Sequence, residues 1–301
     1  MTLDQLRAFV RVAQTRNMTR AAEQLNLSQP AVSAAIAGLE ARYRTSLFDR
    51  VHKGLELTQA GRILLPRAQL VLQDVAEARQ ALIDLSGLLT GALRLFASQT
   101  VATYWLPHQI AAFANAHRQL SIDLEVGNTS QAVAAVISGE ADLAFIEGEY
   151  QGTKLERTPI GGDELGFYAS PDHPLINKHL NRDDILSASW VLREPGSGTR
   201  DHFMATLSTY GVAPSDLDIL LELPSNGAVL EAARAGGLIA VTSCLAGQGR
   251  VDSGILREIP CQLPPRIFFM LGNKDRAMSA AAKVFQRAIM TNLKSPAVNS
   301  P

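Results

Sequence analysis

Short polar side chains gather just after several predicted strands in the last two thirds of the chain. Hydroxyls, amides and the backbone N–H groups at helix N-termini are the donors that hold a small anion in proteins. In open α/β sheets, ligands bind beyond the carboxyl ends of the strands, so we expect these positions to converge. The candidate ligand-binding residues are Ser98, Gln99, Thr100, Thr129, Ser130, Glu147, Ser197, Gly198, Thr199 and Asn226.

Glu147 does not fit a simple anion site. Its carboxylate repels an anion unless it is protonated or pairs with an amine of the ligand. The sequence therefore leaves two ligand classes open, a small anion and an amino-acid-like molecule with a protonated amine. A solvated loop acid is the alternative role of Glu147. The stretches 98–100 and 197–199 are the best candidates for the site, with helix capping as the alternative role of their hydroxyls.

The sequence carries no signature of catalysis or of metal binding. It has no Gly-x-Ser-x-Gly, HExxH or dinucleotide-binding motif, and the glycine-rich stretch 196–199 lacks the Gly-Lys-Ser/Thr ending of a phosphate-binding loop. Cys244 and Cys261 are the only cysteines and the six histidines are scattered, which suits neither a disulfide framework nor a zinc site. We predict no enzyme activity, no metal and no cofactor.

A second group of candidate residues lies near the N-terminus, where positive charge is concentrated. Residues 1–67 hold ten basic and five acidic side chains, a net charge of +5. The remainder holds 18 basic and 24 acidic side chains, a net charge of −6, so the whole chain has a net charge of −1. A basic segment on an acidic body is typical of a phosphate-binding module joined to a larger sensing module.

The basic segment is predicted to be a helix-turn-helix followed by a hairpin. Apolar residues recur at helical spacing through its first forty residues. Ser28 is a good N-cap, with Pro30 in the first turn of the next helix, and two short helices joined by a tight turn make the unit. Residues 47–50 and 54–57 predict a small hairpin, a wing.

A long helix is predicted to follow, capped by Thr58. Its apolar residues repeat at alternating spacings of four and three, which indicates a coiled-coil seam. The alternative is a helix packed only on its own domain. Pro66 near its start is expected to kink the first turns. The seam consists of Leu64, Ala68, Val71, Val75, Ala78, Leu82, Leu85 and Leu89.

After Gly91 the pattern changes to strands that alternate with helices, which predicts parallel sheets covered on both faces. Two lobes joined by two crossovers are expected. The predicted strands are 93–97, 122–126, 143–146, 166–169, 190–192, 219–223, 238–241 and 267–271, and the predicted helices are 105–116, 131–138, 199–210, 227–235 and 280–293.

The stretch from Met18 to Ser33 (MTRAAEQLNLSQPAVS) and the stretch LFDR…LTQAG that begins at Leu47 closely resemble the helix-turn-helix segment of LysR-type transcriptional regulators. The loop EPGSGTR that starts at Glu194 is similar to one found in many members. The resemblance spans nearly the whole chain. It implies an α/β protein with an N-terminal all-α winged helix-turn-helix at 1–58 and a linker and dimerisation helix at 59–90. It further implies a periplasmic-binding-protein-like effector domain at 91–301, with lobe one at 91–164 and 266–295 and lobe two at 165–265.

The resemblance implies sequence-specific binding to a palindromic operator by a homodimer or homotetramer, modulated by a small-molecule effector in the cleft between the lobes. Ligand-driven closure of the lobes is expected to change the angle between paired heads and so the bend of the DNA. In the major groove Gln29 can pair with adenine, and Pro30 and Ala34 can touch thymine methyls. The candidate DNA-binding residues are Ser28, Gln29, Pro30, Ser33, Ala34, Arg50 and Lys53.

Two departures from the family pattern stand out. Ala34 follows Ser33 where many members have an arginine or glutamine, and Gly237 and Leu238 exchange a glycine and a bulky residue. An enzyme and a transport-type solute-binding protein are the rival classes, and retention on heparin or DNA resin separates them from a regulator. Without an apolar membrane-length run or a signal peptide, we expect a cytoplasmic protein that contacts no membrane.

Overall fold

The computed structural model describes residues 1–51, 54–84, 91–148, 150 and 152–294. The chain divides into two compact units, Met1–Gly87 and Leu88–Pro301. Each unit has its own hydrophobic core.

The first unit is a bundle of short helices with a two-stranded hairpin and a long final helix. Its elements are α1 (Leu3–Thr15), α2 (Met18–Leu25), α3 (Gln29–Tyr43), β1 (Phe48–Val51), β2 (Gly54–Leu57) and α4 (Gln59–Asp84). The two strands pair antiparallel, with Phe48 opposite Leu57. The predicted helix-turn-helix and wing are confirmed.

Local side-chain chemistry sets the ends of these helices. Thr2 and Gln5 form a capping box at the start of α1, while Asn17 and Ser28 accept hydrogen bonds from the first turns of α2 and α3. Each cap satisfies a backbone donor that has no partner inside its helix. Asn26 ends α2 in the left-handed conformation, which turns the chain tightly into α3.

The wing is fastened to the helices by backbone hydrogen bonds. The carboxylate of Glu40 accepts from the backbone N–H groups of Leu47, at 2.6 Å, and Phe48, at 3.4 Å. The ring of Phe48 lies 5.5 Å from that of Phe9 in the core, between ring centroids. At the far end of the hairpin, the N–H of Leu55 donates to the carbonyl of Arg16 in the turn between α1 and α2. The wing and the turn are therefore held in register.

Helix α4 is capped as predicted and continues through Pro66. The hydroxyl of Thr58 accepts from the N–H of Gly61 at 3.0 Å and donates to the carbonyl of Ser46 at 2.8 Å. A β-carbon at Gly61 would lie 2.3 Å from the carbonyl oxygen of Leu47, so this close approach requires glycine.

The seam of α4 divides into two parts. Leu64 and Ala68 pack on the core of the first unit, which is the packing that the alternative interpretation assigned to the whole helix. Farther along, Val71 is 40% exposed, Leu82 is 71% exposed and Ala78 is also exposed. Leu85 and Leu89 lie outside the described residues. An apolar row therefore remains on the surface of the single chain.

The second unit consists of two five-stranded sheets with helices on their faces. The first sheet has the order β4-β3-β5-β12-β6 and the second has the order β11-β7-β10-β8-β9. The strands are β3 (Gly91–Ser98), β4 (Leu120–Gly127), β5 (Leu143–Glu147), β6 (Leu155–Asp163), β7 (Leu165–Ala169), β8 (Ser189–Arg193), β9 (Asp218–Leu223), β10 (Ile239–Ser243), β11 (Arg257–Ile259) and β12 (Arg266–Asn273). The α-helices are α5 (Gln99–Tyr104), α6 (Leu106–Ala116), α7 (Thr129–Ser138), α8 (Arg182–Ser187), α9 (Gly198–Thr206), α10 (Asn226–Arg234), α11 (Cys244–Asp252) and α12 (Ala280–Lys294).

The chain passes between the sheets twice, from β6 to β7 and from β11 back to β12. The two crossings meet, because Asp163 at the end of β6 is the register partner of Arg266 at the start of β12. Separate apolar clusters underlie the two sheets, one around Phe145 and Phe285 and another around Trp190 and Phe203. Each sheet with its helices is a lobe, called lobe one and lobe two below.

The prediction of parallel sheets is wrong in part. Strands β3, β4 and β5 pair parallel, but the returning β12 pairs antiparallel with both β5 and β6. In lobe two β7 is likewise antiparallel to β10. The first strand after each crossing therefore runs against the neighbours that it joins.

Several boundaries also differ from the predictions. The predicted helix at 105–116 is preceded by the separate α5, and the helix expected at 199–210 ends at Thr206 and continues as a 3₁₀ turn to Tyr210. Strands β6 and β11 and helices α8 and α11 were not predicted. Gly236 and Gly237 both have positive φ in the loop before β10, which accounts for the altered glycine order there.

Candidate functional site

The predicted DNA-reading residues lie at the N-terminus of α3. Ser28 accepts a hydrogen bond from the N–H of Ala31 and so acts as the N-cap. Gln29, Pro30 and Ala34 are exposed, and Ser33 is half-buried. This helix end thus presents one amide and a row of small apolar groups, a surface suited to base edges and thymine methyls.

Exposed basic side chains are spread over the first unit, including both ends of α3. The exposed arginines are Arg7, Arg16, Arg20, Arg42, Arg44, Arg62 and Arg67. Strand β1 includes Arg50, but its side chain is not described, and Lys53 lies outside the described residues. Their contacts with DNA therefore stay predictions.

In the second unit the predicted ligand-binding residues lie where the two lobes meet. Lobe one contributes residues at the ends of β3 and β5 and at the start of α7, and lobe two contributes the starts of α9 and α10. Hydrogen bonds run directly between the lobes. They form two polar clusters, one around Glu147 and one around Arg193.

The Glu147 cluster is a buried network of charges and hydroxyls. Ser98 donates to one carboxylate oxygen of Glu147, and Thr199 of lobe two donates to the other at 3.5 Å. Nη1 of Arg266 lies 3.8 Å from Glu147 and donates to Thr199 at 2.9 Å. Arg266 also pairs with Asp163, with Nη2 at 2.8 Å from Oδ2. One buried arginine thus serves two buried carboxylates.

This network corrects the interpretation of Glu147 as a solvated loop acid. Glu147 is only 1% exposed, and the positive charge beside it is Arg266 rather than an amine of a ligand. A buried carboxylate is stable only when it is paired in this way. Asp163 contacts the same arginine, so two carboxylates share one guanidinium.

Gly198 allows the closest approach of the lobes. Its N–H donates to the hydroxyl of Thr129 at 3.2 Å, and that hydroxyl donates to the carbonyl of Glu147 at 3.3 Å. A β-carbon at Gly198 would lie 2.2 Å from the same carbonyl oxygen. Nearby, the N–H of Ser130 donates to the carbonyl of Gly196 at 3.2 Å. Helix α9 therefore begins directly against lobe one.

The second cluster is built around Arg193. Arg193, 1% exposed, donates from Nη1 to the amide oxygens of Gln99, at 3.1 Å, and Asn226, at 3.0 Å. The oxygen of Gln99 also accepts from the backbone N–H of Asn226 at 2.7 Å. The side-chain amide of Asn226 donates to the hydroxyl of Thr100 at 3.0 Å. Gln99 and Thr100 of lobe one thus contact a buried guanidinium and the start of α10.

Glu194 balances the charge of Arg193. Its carboxylate accepts from Nε at 2.8 Å and from Nη2 at 3.0 Å, and it also accepts from the amide of Asn128 in lobe one. Burial acts to raise the pKa of Glu194, but the hydrogen bonds and the charge of Arg193 outweigh it, and the pKa lies below its ordinary value. The pair is ionised at neutral pH.

Two buried hydroxyls at the cleft have no hydrogen-bond partner among the residues that the structure describes. Ser197 Oγ lies at the N-cap of α9 without capping it, and Thr242 Oγ1 lies near the end of β10. Thr242 follows Ala240 by two residues and Arg193 follows Val191 by two, and Ala240 and Val191 are register partners. Side chains alternate along strands, so Thr242 and Arg193 share a face of the sheet.

Sequence reasoning found Glu147 but missed the other charged residues of the cleft, above all Arg193 and Arg266. Arg193 is one residue past the predicted strand 190–192 and Arg266 is one residue before the predicted strand 267–271. The strand-end rule that selected Ser98 and Glu147 would have found Arg193 too. The pairing of Asp163 with Arg266 depends on the antiparallel return of β12, which the predicted parallel sheet did not contain.

A separate groove of about 500 Å³ lies on lobe one between β4 and α7. Phe96, Val126 and Gln131 line it together with Glu125 and Glu140. Burial and the nearby charge of Glu125 raise the pKa of Glu140. Its two carboxylates make this groove unsuitable for an anion. Among the described residues, no group of three or more His, Cys, Asp or Glu side chains is arranged to hold a metal ion.

Comparison with known proteins decides the family. Residues 3–62 match the profile of the bacterial regulatory helix-turn-helix proteins of the lysR family, and residues 86–294 match the LysR substrate binding domain. The chain belongs to the LysR family. This LysR-type regulator is 34% identical over 287 residues to the HTH-type transcriptional regulator YeiE of Escherichia coli K12, covering 95% of this chain and 96% of the relative.

Solved structures share the fold of this LysR-type regulator. CbnR in complex with its target DNA has a TM-score of 0.69 at 19% identity, covering 97% of this chain and 99% of that one. The regulatory domain of CcmR from Synechocystis PCC6803, in complex with 2-PG, has a TM-score of 0.61 at 24% identity and covers 69% of this chain and 99% of that one. Within the described part of the LysR-type regulator, no helix is both long and apolar enough to span a bilayer.

Proposed function

We propose that this LysR-type regulator binds a palindromic operator as a homo-oligomer and that a small anion, held between the lobes, modulates this binding. The observation that carries the proposal is Arg193, a buried guanidinium at the boundary of the lobes, beside the first N–H of α10. A guanidinium and a helix N-terminus together form a site for an anion.

The DNA-binding half of the proposal rests on the exposed start of α3 and on the net positive charge of residues 1–67. Gln29, Pro30, Ser33 and Ala34 would face base edges, Ser28 a phosphate, and Arg50 and Lys53 the DNA backbone beside the wing. CbnR, which has the same fold, is solved with its target DNA, and this supports DNA binding by the fold. Since most contacts are with phosphates, affinity is expected to fall steeply with salt as counterions are released.

The pairing of the buried arginines favours an anion at Arg193 rather than at Arg266. Glu147 and Asp163 both contact Arg266, whereas Arg193 pairs with the single carboxylate of Glu194. The Arg193–Glu194 pair carries no net charge. The N-terminus of α10 and the hydroxyls of Thr100 and Thr242 are the further polar groups that we assign to the anion site. The CcmR regulatory domain, solved with 2-PG, supports small-ligand binding by this fold.

The exposed seam of α4 supports the proposed oligomer. Val71, Ala78 and Leu82 lie exposed on one face of a helix whose first turns already pack on the first unit. A second copy of the same helix would cover this row in a two-stranded coiled coil. Two heads paired in this way suit a site with dyad symmetry.

Selection of duplexes from a random pool by the full-length protein tests the DNA half. An inverted repeat is expected among the selected sequences, and a monomeric asymmetric site would overturn the palindromic operator. Mobility shifts with the selected duplex should then show affinity falling linearly on a log–log plot against salt.

Sulfate, phosphate and small carboxylates, added at constant ionic strength, test the anion half through the melting temperature and the footprint on the selected duplex. The Arg193→Gln variant should lose the response to anions, since its amide carries no charge. Arg234→Gln is a matched control, because Arg234 is an exposed arginine on α10 paired with Glu231. An anion response that survives in Arg193→Gln would place the site elsewhere.

A further inference from the structure

Gln99 occupies a position that an oxyanion would take. Its amide oxygen accepts from Nη1 of Arg193 at 3.1 Å and from the backbone N–H of Asn226 at 2.7 Å. Asn226 is the first residue of α10, so the second donor carries the positive end of a nine-residue helix. A guanidinium N–H and a helix-terminal N–H converging on one oxygen is the geometry with which proteins hold a sulfate, phosphate or carboxylate oxygen.

The side chain that fills this position belongs to the opposite lobe. Gln99 begins α5 in lobe one, whereas Arg193 and Asn226 belong to lobe two. Nε and Nη2 of Arg193 donate to Glu194, and Nη1 also donates to the amide oxygen of Asn226, whose amide nitrogen donates to Thr100. Gln99 is therefore the lobe-one group that competes directly with a ligand for Nη1 and for the helix terminus.

The unpartnered hydroxyl of Thr242 is an independent sign of a ligand position. Thr242 is fully buried, shares a sheet face with Arg193, and has no hydrogen-bond partner in the described part of the chain. A buried hydroxyl without a partner costs free energy that a ligand oxygen can return. The amide oxygen of Gln99 accepts hydrogen bonds from Arg193 and Asn226 but not from Thr242. An oxyanion with several oxygens can therefore accept from more donors than this amide does.

We infer that Gln99 is a tethered competitor of the effector: its amide closes the cleft by imitating an oxyanion, and a bound anion displaces it. This inference rests on the proposed function and names the regulation of that same site. The anion carries a full charge and forms stronger hydrogen bonds with Arg193 than a neutral amide does. Displacement replaces a contact between the lobes with a contact to the ligand, so the ligand changes how tightly the lobes are held together.

Titration of the full-length protein with sulfate by isothermal calorimetry, at constant ionic strength, tests the inference. Gln99→Ala removes the competitor and leaves both donors in place. A hydrogen bond to a charged group changes an equilibrium constant by about a factor of ten. We therefore expect sulfate to bind about tenfold more tightly to this variant than to the wild type. Gln99→Glu supplies a permanent carboxylate at the same position, so it should abolish sulfate binding.

Three comparisons keep the outcome unambiguous. Ala112→Ser, an exposed change on α6, should bind sulfate like the wild type, and Arg193→Gln introduced into Gln99→Ala should remove binding. If Gln99→Ala binds sulfate no more tightly than the wild type, or if Gln99→Glu still binds it, Gln99 is not a competitor, while the anion site itself stands. If wild type and Gln99→Ala both fail to bind sulfate, phosphate and small carboxylates, the proposed anion site and the inference are overturned together.

Discussion

Replacing Gly198 with alanine should weaken the contact between the lobes more than any change of similar size elsewhere in the cleft. The new β-carbon would lie 2.2 Å from the carbonyl oxygen of Glu147 and 2.7 Å from the hydroxyl of Thr129. Both neighbours are buried, and one is backbone, so α9 must move away from lobe one. Overpacking of this kind costs about 1–3 kcal/mol.

The loss can be measured as a shift in thermal unfolding. For a unit of this size, each kcal/mol lowers the melting temperature by about 2–4 °C, so Gly198→Ala should melt about 2–12 °C below the wild type. The hydrogen bond from the Gly198 N–H to Thr129 should be lost as well. Retention on DNA resin should be unchanged, because the first unit has its own core.

Gly227→Ala is the matched control. Gly227 is the second residue of α10, and a β-carbon there would meet no atom within 4 Å. Alanine is favoured over glycine in a helix by roughly 0.5–1 kcal/mol, so this variant should melt at or slightly above the wild-type temperature. If Gly198→Ala also melted at or above the wild-type temperature, the argument from the close approach of the lobes would be refuted.

Three further predictions concern the seam, the Arg193–Glu194 pair and the thiols. Leu82→Glu places a charge on the exposed apolar row of α4 and should shift the protein to monomer in sedimentation analysis. Ala76→Glu places the same charge at an exposed position away from the row and should not change the oligomeric state. Two variants that sediment with the same mass would contradict dimerisation through this row. Because the pKa of Glu194 is lowered in the folded state, the pair stabilises above the unfolded value of about 4.3 and this contribution is lost as pH falls through the folded pKa. The melting temperatures of wild type and Glu194→Gln should therefore converge on acidification, and a constant gap would count against the ion pair. Burial raises the pKa of Cys261 to about 11 and also raises that of Cys244, so a thiol reagent at neutral pH should label both slowly in the native protein and rapidly after unfolding; immediate labelling of the native thiols would show that they are not shielded.

Local patterns were sufficient to predict the helix-turn-helix, the wing, the long helix and most strands of the lobes. Ser28, Pro30 and Thr58 act through neighbours within a few residues, so their roles can be read from spacing alone. The antiparallel course of β12 could not be read in this way, because the strand pairs with β5 and β6 more than a hundred residues earlier in the chain. Short strands such as β11 depend on that tertiary pairing rather than on their own pattern.

The residues of the cleft also divide into those that local patterns predict and those that only the tertiary structure brings together. The hydroxyls and amides at strand ends converge as the strand-end rule predicts, so Ser98, Thr129 and Asn226 were found without a structure. The pairing of Arg266 with Asp163 and Glu147 was beyond sequence reasoning, since it joins side chains 103 residues apart in one case. Charged residues next to the two connections between the lobes have no local sequence signature. Their pairing becomes apparent only when β6 and β12 lie side by side in the structure.

The register pairing of Asp163 with Arg266 has a consequence for the evolution of the chain. Lobe two is an insertion whose entry and exit are adjacent residues of one antiparallel ladder, and its apolar cluster around Trp190 and Phe203 is built from its own residues. A tight turn of two residues could join β6 to β12 and leave the first sheet intact. Exchange of the second lobe would therefore replace Arg193, Thr199 and Asn226 together and leave the lobe-one half of the cleft unchanged.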